Sequence, residues 1–153
     1  GKSTIGVLLA KEAGFDFLDT DIEIQNREAC LLQDIVDHHG HLALRDIEES
    51  VCANLEARHQ VVATGGSVVY SPVAMAHLRT LGPVIWLKAG FPEIEKRIHN
   101  FEQRGLAKKD GQTLQSLFNE RQPLYEHYAE FTIQCDGKST EDIVNEIKSV
   151  LSI

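Results

Sequence analysis

The sequence predicts an α/β protein in which a parallel sheet is covered by helices on both faces. Short apolar segments alternate with stretches whose apolar residues recur three and four apart, and no linker, repeat or low-complexity run divides the chain. Its 153 residues are 42% hydrophobic, enough for a core that needs no disulfide or metal staple. One domain over residues 1–153 is expected.

Ile5, Leu8 and Leu9 carry a helix from Lys2 to about Ala13, and Gly14 supplies a residue suited to its C-terminal stop. Phe15–Leu18 reads as a short extended segment ending in Asp19-Thr20-Asp21, and Ile22 to His38 as one broken helix or two short ones. Leu44, Ile47, Val51 and Leu55 build a helix from Gly40 to about Arg58, with Arg45, Glu48 and Glu49 on its polar face. Val61–Thr64 is a strand that stops at Gly65-Gly66. Ser71-Pro72 then offers an N-cap and a first-turn proline for a helix ending near Gly82. Pro83–Leu87 is the next strand and Pro92–Glu102 the next helix. Residues 103–112 are polar and aperiodic, which predicts a mobile loop. Thr113 caps a helix running through Leu114, Leu117 and Phe118 towards Tyr125. Phe131–Gln134 is a last strand, and Ser139 or Thr140 caps a final helix through Ile143, Ile147, Val150 and Leu151.

Charge and cysteine content narrow the function. Fifteen Lys and Arg against 23 Asp and Glu leave a net charge of −8, which argues against a sequence-independent grip on nucleic acid or an anionic membrane. A small anion met by a few converging basic residues stays open. Cys30, Cys52 and Cys135 contain no C-x-x-C pair, so neither a disulfide framework nor a zinc site is suggested, and a reducing compartment is the simplest setting. No apolar run approaches the roughly 20 residues of a membrane span. His38-His39-Gly40-His41 straddles a helix break without a ligand set, so no metal is expected there. Trp86, Tyr125 and Tyr128 read as packing residues.

Three segments point to phosphate chemistry. Gly1-Lys2-Ser3-Thr4, directly before a helix, matches the second half of the pattern G-x-x-x-x-G-K-[ST]. If the segment is a P-loop, its backbone N–H groups hold phosphates, Lys2 neutralises them and the Ser3 hydroxyl binds Mg²⁺; an ordinary polar segment contains the same residue types. Asp19 and Asp21 follow a strand, at the edge where open α/β sheets bind ligands. Asp19 there suits a magnesium water shell and Asp21 a substrate hydroxyl, while Asp19 or Thr20 also suits a helix cap. Thr64-Gly65-Gly66-Ser67 follows another strand and lets a ligand approach the backbone closely, as a plain turn also would. Arg45 and Arg121 are ordinary helix residues by spacing alone, and Glu48 and Glu49 are available to pair with Arg45.

Taken together, Gly1–Thr4, Asp19–Asp21, Gly40 with Arg45 and Glu48, Thr64–Gly66, Arg104 and Arg121–Tyr125 occur in the order and spacing of shikimate kinases, and the resemblance covers essentially the whole chain. It implies a three-layer α/β/α P-loop kinase fold, similar to nucleoside-monophosphate kinases, with a five-stranded parallel sheet. It also implies ATP- and Mg²⁺-dependent phosphorylation of the shikimate 3-hydroxyl on the way to chorismate, by a cytoplasmic monomer. Carried across, Arg45 and Arg121 clamp the shikimate carboxylate, with Glu48 buttressing Arg45. Asp21 and Gly66 hold ring hydroxyls beside Gly65, and Asp21 assists deprotonation. Gly1, Lys2, Ser3 and Thr4 hold ATP, and Ser3 and Asp19 hold Mg²⁺. Arg104 is the lid arginine that reaches the transferred phosphate. Arg97 and the Asp136–Thr140 segment, including Lys138, flank adenine.

The chain departs from the family pattern at Ser67, at Gly105 to Ala107 in the lid and at His41 to Ala43, all near the substrate or its lid. Phosphorylation of another polyhydroxy acid such as gluconate, or a catalytically inactive binding homologue, are the competing expectations. In the implied fold a strand precedes the phosphate loop, so the chain is expected to lack that strand and half the loop, and to fold poorly and transfer little phosphate as written.

Overall fold

The computed structural model describes residues 1–98 and 108–153. Helix α1 (Lys2–Ala13) buries Ile5, Leu9 and Ala10 and stops where Gly14 turns left-handed, φ 72°, with its N–H on the Ala10 carbonyl. Strand β1 (Asp16–Asp19) runs straight into α2 (Thr20–Glu28), because the Asp19 carboxylate accepts the Asp21 N–H at 2.9 Å and caps the helix. A left-handed Ala29 (φ 54°) separates α2 from α3 (Leu32–His39), and Gly40 (φ 85°) separates α3 from α4 (His41–Ala53). Of the two readings of Ile22–His38, one broken helix or two short ones, the structure shows two short ones. α4 ends five residues earlier than its apolar spacing suggests, and Asn54 Nδ2 turns back to the Ser50 carbonyl at 2.8 Å.

Strand β2 (Gln60–Ala63) leads through Gly65-Gly66 into a 3₁₀ turn, Val68–Tyr70, which the periodicity does not reveal. Helix α5 (Pro72–Leu81) is capped by Ser71 Oγ, which accepts the Ala74 N–H at 3.1 Å. Strand β3 (Ile85–Lys88) and helix α6 (Phe91–Arg97) follow; the rest of the helix anticipated to Glu102, beyond Ile98, lies outside the described residues. Helix α7 (Leu114–Tyr128), capped by Thr113, precedes β4 (Phe131–Gln134) and α8 (Thr140–Leu151). Ser139 and Asp142 form a reciprocal capping box at the start of α8, each bond 3.1 Å.

Among the described residues the strands form two parallel pairs. β1 pairs with β2, Asp19 opposite Ala63, and β3 with β4, Lys88 opposite Gln134. Helices α1 and α8 cover one face through Ile5, Leu9, Ile143, Val144 and Ile147, which pack on Ile133, Val61, Ile85 and Leu87. α4, α5 and α7 with the 3₁₀ turn cover the other through Cys52, Val68, Val69, Met75 and Leu124. Helices thus sandwich the strands in a three-layer α/β/α arrangement. Ile24, Ile133 and Ile147 are fully buried, each stabilising by about 1.5–3 kcal/mol.

Between the pairs run two cavities of about 170 and 200 Å³ that share Thr64, Val84 and Ile85. One reaches Gln60 at the start of β2; the other reaches Gly65 and Ala89 beyond the ends of β2 and β3. The carboxyl ends of the strands therefore lie at one edge, where Asp19, Gly65 and the start of α1 meet.

Candidate active site

The geometry of this edge begins with the glycines after β2. A Cβ on Gly65 would collide with Glu48 Oε2 and stand 2.8 Å from Asp21 Oδ1. One on Gly66 would lie 2.8 Å from an Arg121 guanidinium nitrogen and 2.9 Å from the Tyr125 hydroxyl. Only glycines let two carboxylates and a guanidinium close on consecutive backbone positions. The Gly65 N–H is held by the wholly buried Thr20 hydroxyl at 3.4 Å, which ties the end of β2 to the start of α2.

On the Gly65 side, Ser3 Oγ donates to Asp19 Oδ2 at 2.6 Å, while the other oxygen of Asp19 caps α2. Of the two roles open to Asp19 in the sequence, the structure therefore shows the helix cap. Burial and the neighbouring Asp19 push the Asp21 carboxyl above the ordinary carboxylate value, and Lys2 pulls it back. Lys2 is solvent-accessible at the residue surface, which limits any burial effect, but protein packed around its ammonium lowers its pKa. Asp21 opposes that shift most strongly, and Glu48 and Asp19 add to the opposition.

Glu48 is 2% exposed and accepts the Ser67 hydroxyl. Burial raises its carboxyl to about 7; the Ser67 bond works against the rise and Asp21 adds to it. Here the structure corrects the expected buttress. Among the described residues neither acid three or four positions after Arg45 forms an ion pair with it, because Glu48 is engaged by Ser67 and Glu49 by Ser71.

The support of Arg45 is aromatic instead. Its guanidinium carbon lies 3.6 Å from the Tyr70 ring centroid, and that of Arg121 lies 5.6 Å from the same centroid. Arg121 is 6% exposed, and Arg45 Nε is buried with no hydrogen-bond partner among the described residues. The Tyr70 hydroxyl donates to Glu120 Oε2 at 2.8 Å, and Gln112 Nε2 reaches the same oxygen at 3.2 Å. Tyr125, expected only to pack, donates its hydroxyl to the Gly66 carbonyl at 2.9 Å. Sequence reasoning missed Tyr70; its place shortly after Gly65-Gly66 was the available signal.

The structure therefore gathers Lys2, Ser3, Asp19, Asp21, Arg45, Gly65, Gly66 and Arg121 at one edge. Arg97 lies farther along, 3.5 Å from where a Cβ on Gly1 would be, and pairs with Glu93 at 3.0 Å. Its charge is also felt by Cys135, as is that of Lys138, which bonds Glu146 at 2.5 Å. Asp136 in the same loop accepts the Gly90 N–H at 3.0 and 3.1 Å. Arg104 lies outside the described residues.

Comparison with known proteins gives a consistent result. The family model described as shikimate kinase matches residues 1–152. A shikimate kinase of Persephonella marina is 36% identical over 148 residues, covering 96% of this chain and 90% of that protein. One from Paracidovorax citrulli is also 36% identical, over all of this chain and 87% of its own length. Among solved structures, shikimate kinase from Acinetobacter baumannii in complex with shikimate superposes with a TM-score of 0.88 at 29% identity, over 99% of this chain and 87% of that one. The Aquifex aeolicus shikimate kinase gives 0.81 at 28% identity, over 99% and 90%.

Proposed function

The chain belongs to the shikimate kinase family of small-molecule kinases, and on that premise we propose that it transfers the γ-phosphoryl group of ATP to the 3-hydroxyl of shikimate. ADP and shikimate 3-phosphate are the products, in the route to aromatic amino acids. The observation that carries the reading is the convergence on Gly65-Gly66: a carboxylate, Asp21, faces the first glycine and a buried guanidinium, Arg121, the second. A hydroxy acid presents the complementary groups. The Acinetobacter baumannii relative, solved with shikimate, supports that choice of substrate.

Asp21 accepts a hydrogen bond from the substrate hydroxyl and takes its proton as the oxygen attacks phosphorus, a role suited to a carboxyl whose proton affinity is raised. Arg45 and Arg121 receive the carboxylate, for which the planar guanidinium fork is matched. Gly66 lets the ring lie against the backbone. The start of α1 and Lys2 hold the phosphates of ATP; positioning and charge, more than covalent chemistry, lower the barrier in such transfers. The 2.6 Å contact between Ser3 and Asp19 places a hydroxyl and a carboxylate side by side, the donor set that fits Mg²⁺. Mg²⁺ when bound neutralises phosphate charge. Arg97 and Lys138 with the Asp136–Thr140 loop border the adenine, and Arg104 serves as the lid cation. The chain acts as a single-domain cytoplasmic monomer; among the described residues no helix is long and apolar enough to cross a membrane.

A phosphorus NMR assay with ATP and, separately, shikimate or gluconate tests the assignment. Saturable formation of a new phosphomonoester from shikimate is expected. Turnover of gluconate instead, or calorimetric binding without ADP production, would overturn it.

A further inference from the structure

Ser67 holds the N-cap position of the 3₁₀ turn, where a hydroxyl ordinarily accepts a backbone N–H, yet its side chain caps nothing. It donates instead to Glu48 Oε1, and both residues are buried. The second carboxyl oxygen, Oε2, lies against Gly65, where a Cβ would collide with it. Glu48 is therefore aimed at the glycine turn and not along α4 towards Arg45, although side chains three apart on a helix are neighbours. The electrostatics agree: burial raises the Glu48 carboxyl, and the cations that oppose the rise are Arg121 and Lys2, with Arg45 not among them. Arg45 Nε is buried and has no hydrogen-bond partner among the described residues. The Ser67 backbone, at φ −87° and ψ −5°, lies in the right-handed helical region and needs no glycine, so the position contributes its hydroxyl and not a special conformation.

We infer that Ser67 is a positioning and specificity-determining residue: its hydroxyl holds Glu48 on the glycine turn and so keeps an internal carboxylate off Arg45, whose buried Nε is left for the carboxylate of the substrate. The inference rests on the reading of the site given under Proposed function. Ser67 is one of the positions at which the chain departs from the family pattern. Without the hydroxyl, Glu48 loses its hydrogen bond, and the guanidinium three residues back on α4 offers a charge-assisted replacement. The substrate carboxylate must then displace Glu48 to reach Arg45.

The test is a double-mutant cycle of wild type, Ser67→Ala, Glu48→Gln and the two combined, each titrated calorimetrically with shikimate and checked by circular dichroism and by the KM for ATP. Ser67→Ala should raise the shikimate dissociation constant about 3- to 30-fold, with the KM for ATP within about 2-fold of wild type. In the Glu48→Gln background the same substitution should change the affinity by less than about 2-fold, because the released amide cannot compete as an anion. Ser67→Gly removes the same hydroxyl and should repeat the Ser67→Ala result, which keeps the comparison available if one of the two folds poorly. Unchanged or improved shikimate affinity in Ser67→Ala would overturn the inference. So would an equal loss in both backgrounds, the result expected of a merely structural hydroxyl. Wild-type binding of shikimate without turnover overturns the functional reading alone, and the cycle then decides Ser67; absence of wild-type binding overturns both.

Discussion

On the Gly65 side of the site, side chains are held by hydrogen bonds to one another. Ser3 bonds Asp19, Asp19 bonds the Asp21 amide, Ser67 bonds Glu48, and Thr20 holds the Gly65 amide. On the Gly66 side, Arg45 and Arg121 gather around the Tyr70 ring, and Arg45 Nε is buried with no hydrogen-bond partner among the described residues. The contrast separates two tasks. On the proposed reading, hydrogen bonding fixes the direction of groups that meet a reacting hydroxyl or a metal, while the ring beneath Arg45 fixes the plane of its guanidinium. An unpaired buried donor costs about 1–3 kcal/mol, and on the proposed reading the substrate carboxylate offsets that cost.

Substitutions that cross this division should break it in different ways. The largest effect belongs to Asp21→Asn, which should lower kcat by about 10²- to 10⁴-fold with nucleotide binding retained; near wild-type turnover would exclude the proton-accepting role. The wild-type kcat/KM should also fall on the acid side along a limb displaced above the ordinary carboxylate value of 3.8, as burial and Asp19 hold Asp21 protonated to higher pH. A limb at the ordinary value would mean that Asp21 titrates freely.

Arg121→Ala comes next, with a rise in shikimate KM of about 10- to 100-fold from loss of charge-assisted hydrogen bonds. Arg121→Lys should restore only part of it, since an ammonium cannot reproduce the fork. Gly65→Ala and Gly66→Ala then compare the two sides at adjacent positions. The Gly65 methyl meets the Glu48 carboxylate pinned by Ser67 and should cost about 1–3 kcal/mol of stability. The Gly66 methyl meets the end of the longer Arg121 side chain, so its main effect should fall on shikimate KM. Thermal unfolding and kinetics together would show whether that order is reversed.

A last effect, read in stability alone, is the pH dependence contributed by Glu48. Its folded value of about 7 lies above its ordinary 4.5, so the folded chain binds more protons in that window. The contribution of Glu48 to stability therefore falls as pH rises from 4.5 to 7. Glu48→Gln should flatten that part of the curve of unfolding free energy against pH, and an unchanged slope would show that Glu48 is ionised throughout.

The fold and the Gly65 side were legible because their signals are local. Asp19 and Asp21 sit two residues apart at a strand end, Lys2 and Ser3 open a helix, and paired glycines mark a close approach. The Gly66 side is assembled from α4, the 3₁₀ turn and α7, with Tyr70 separated in sequence from both arginines, so no spacing rule connects them. Family resemblance supplied the arginines but misassigned their support, because α-helical spacing offers Glu48 to Arg45 while burial turns it towards Ser67. The two separate strand pairs were also beyond local pattern, since periodicity identifies strands without saying which of them bond.

The most direct test of this division is calorimetric titration of shikimate into Asp21→Asn and Arg121→Ala side by side. Asp21→Asn should bind shikimate within a few-fold of wild type while failing to turn it over, and Arg121→Ala should lose affinity by at least about 10-fold. Loss of affinity in the Asp21 variant with affinity preserved in the Arg121 variant would contradict the assignment of the hydroxyl to one side of the glycine pair and the carboxylate to the other.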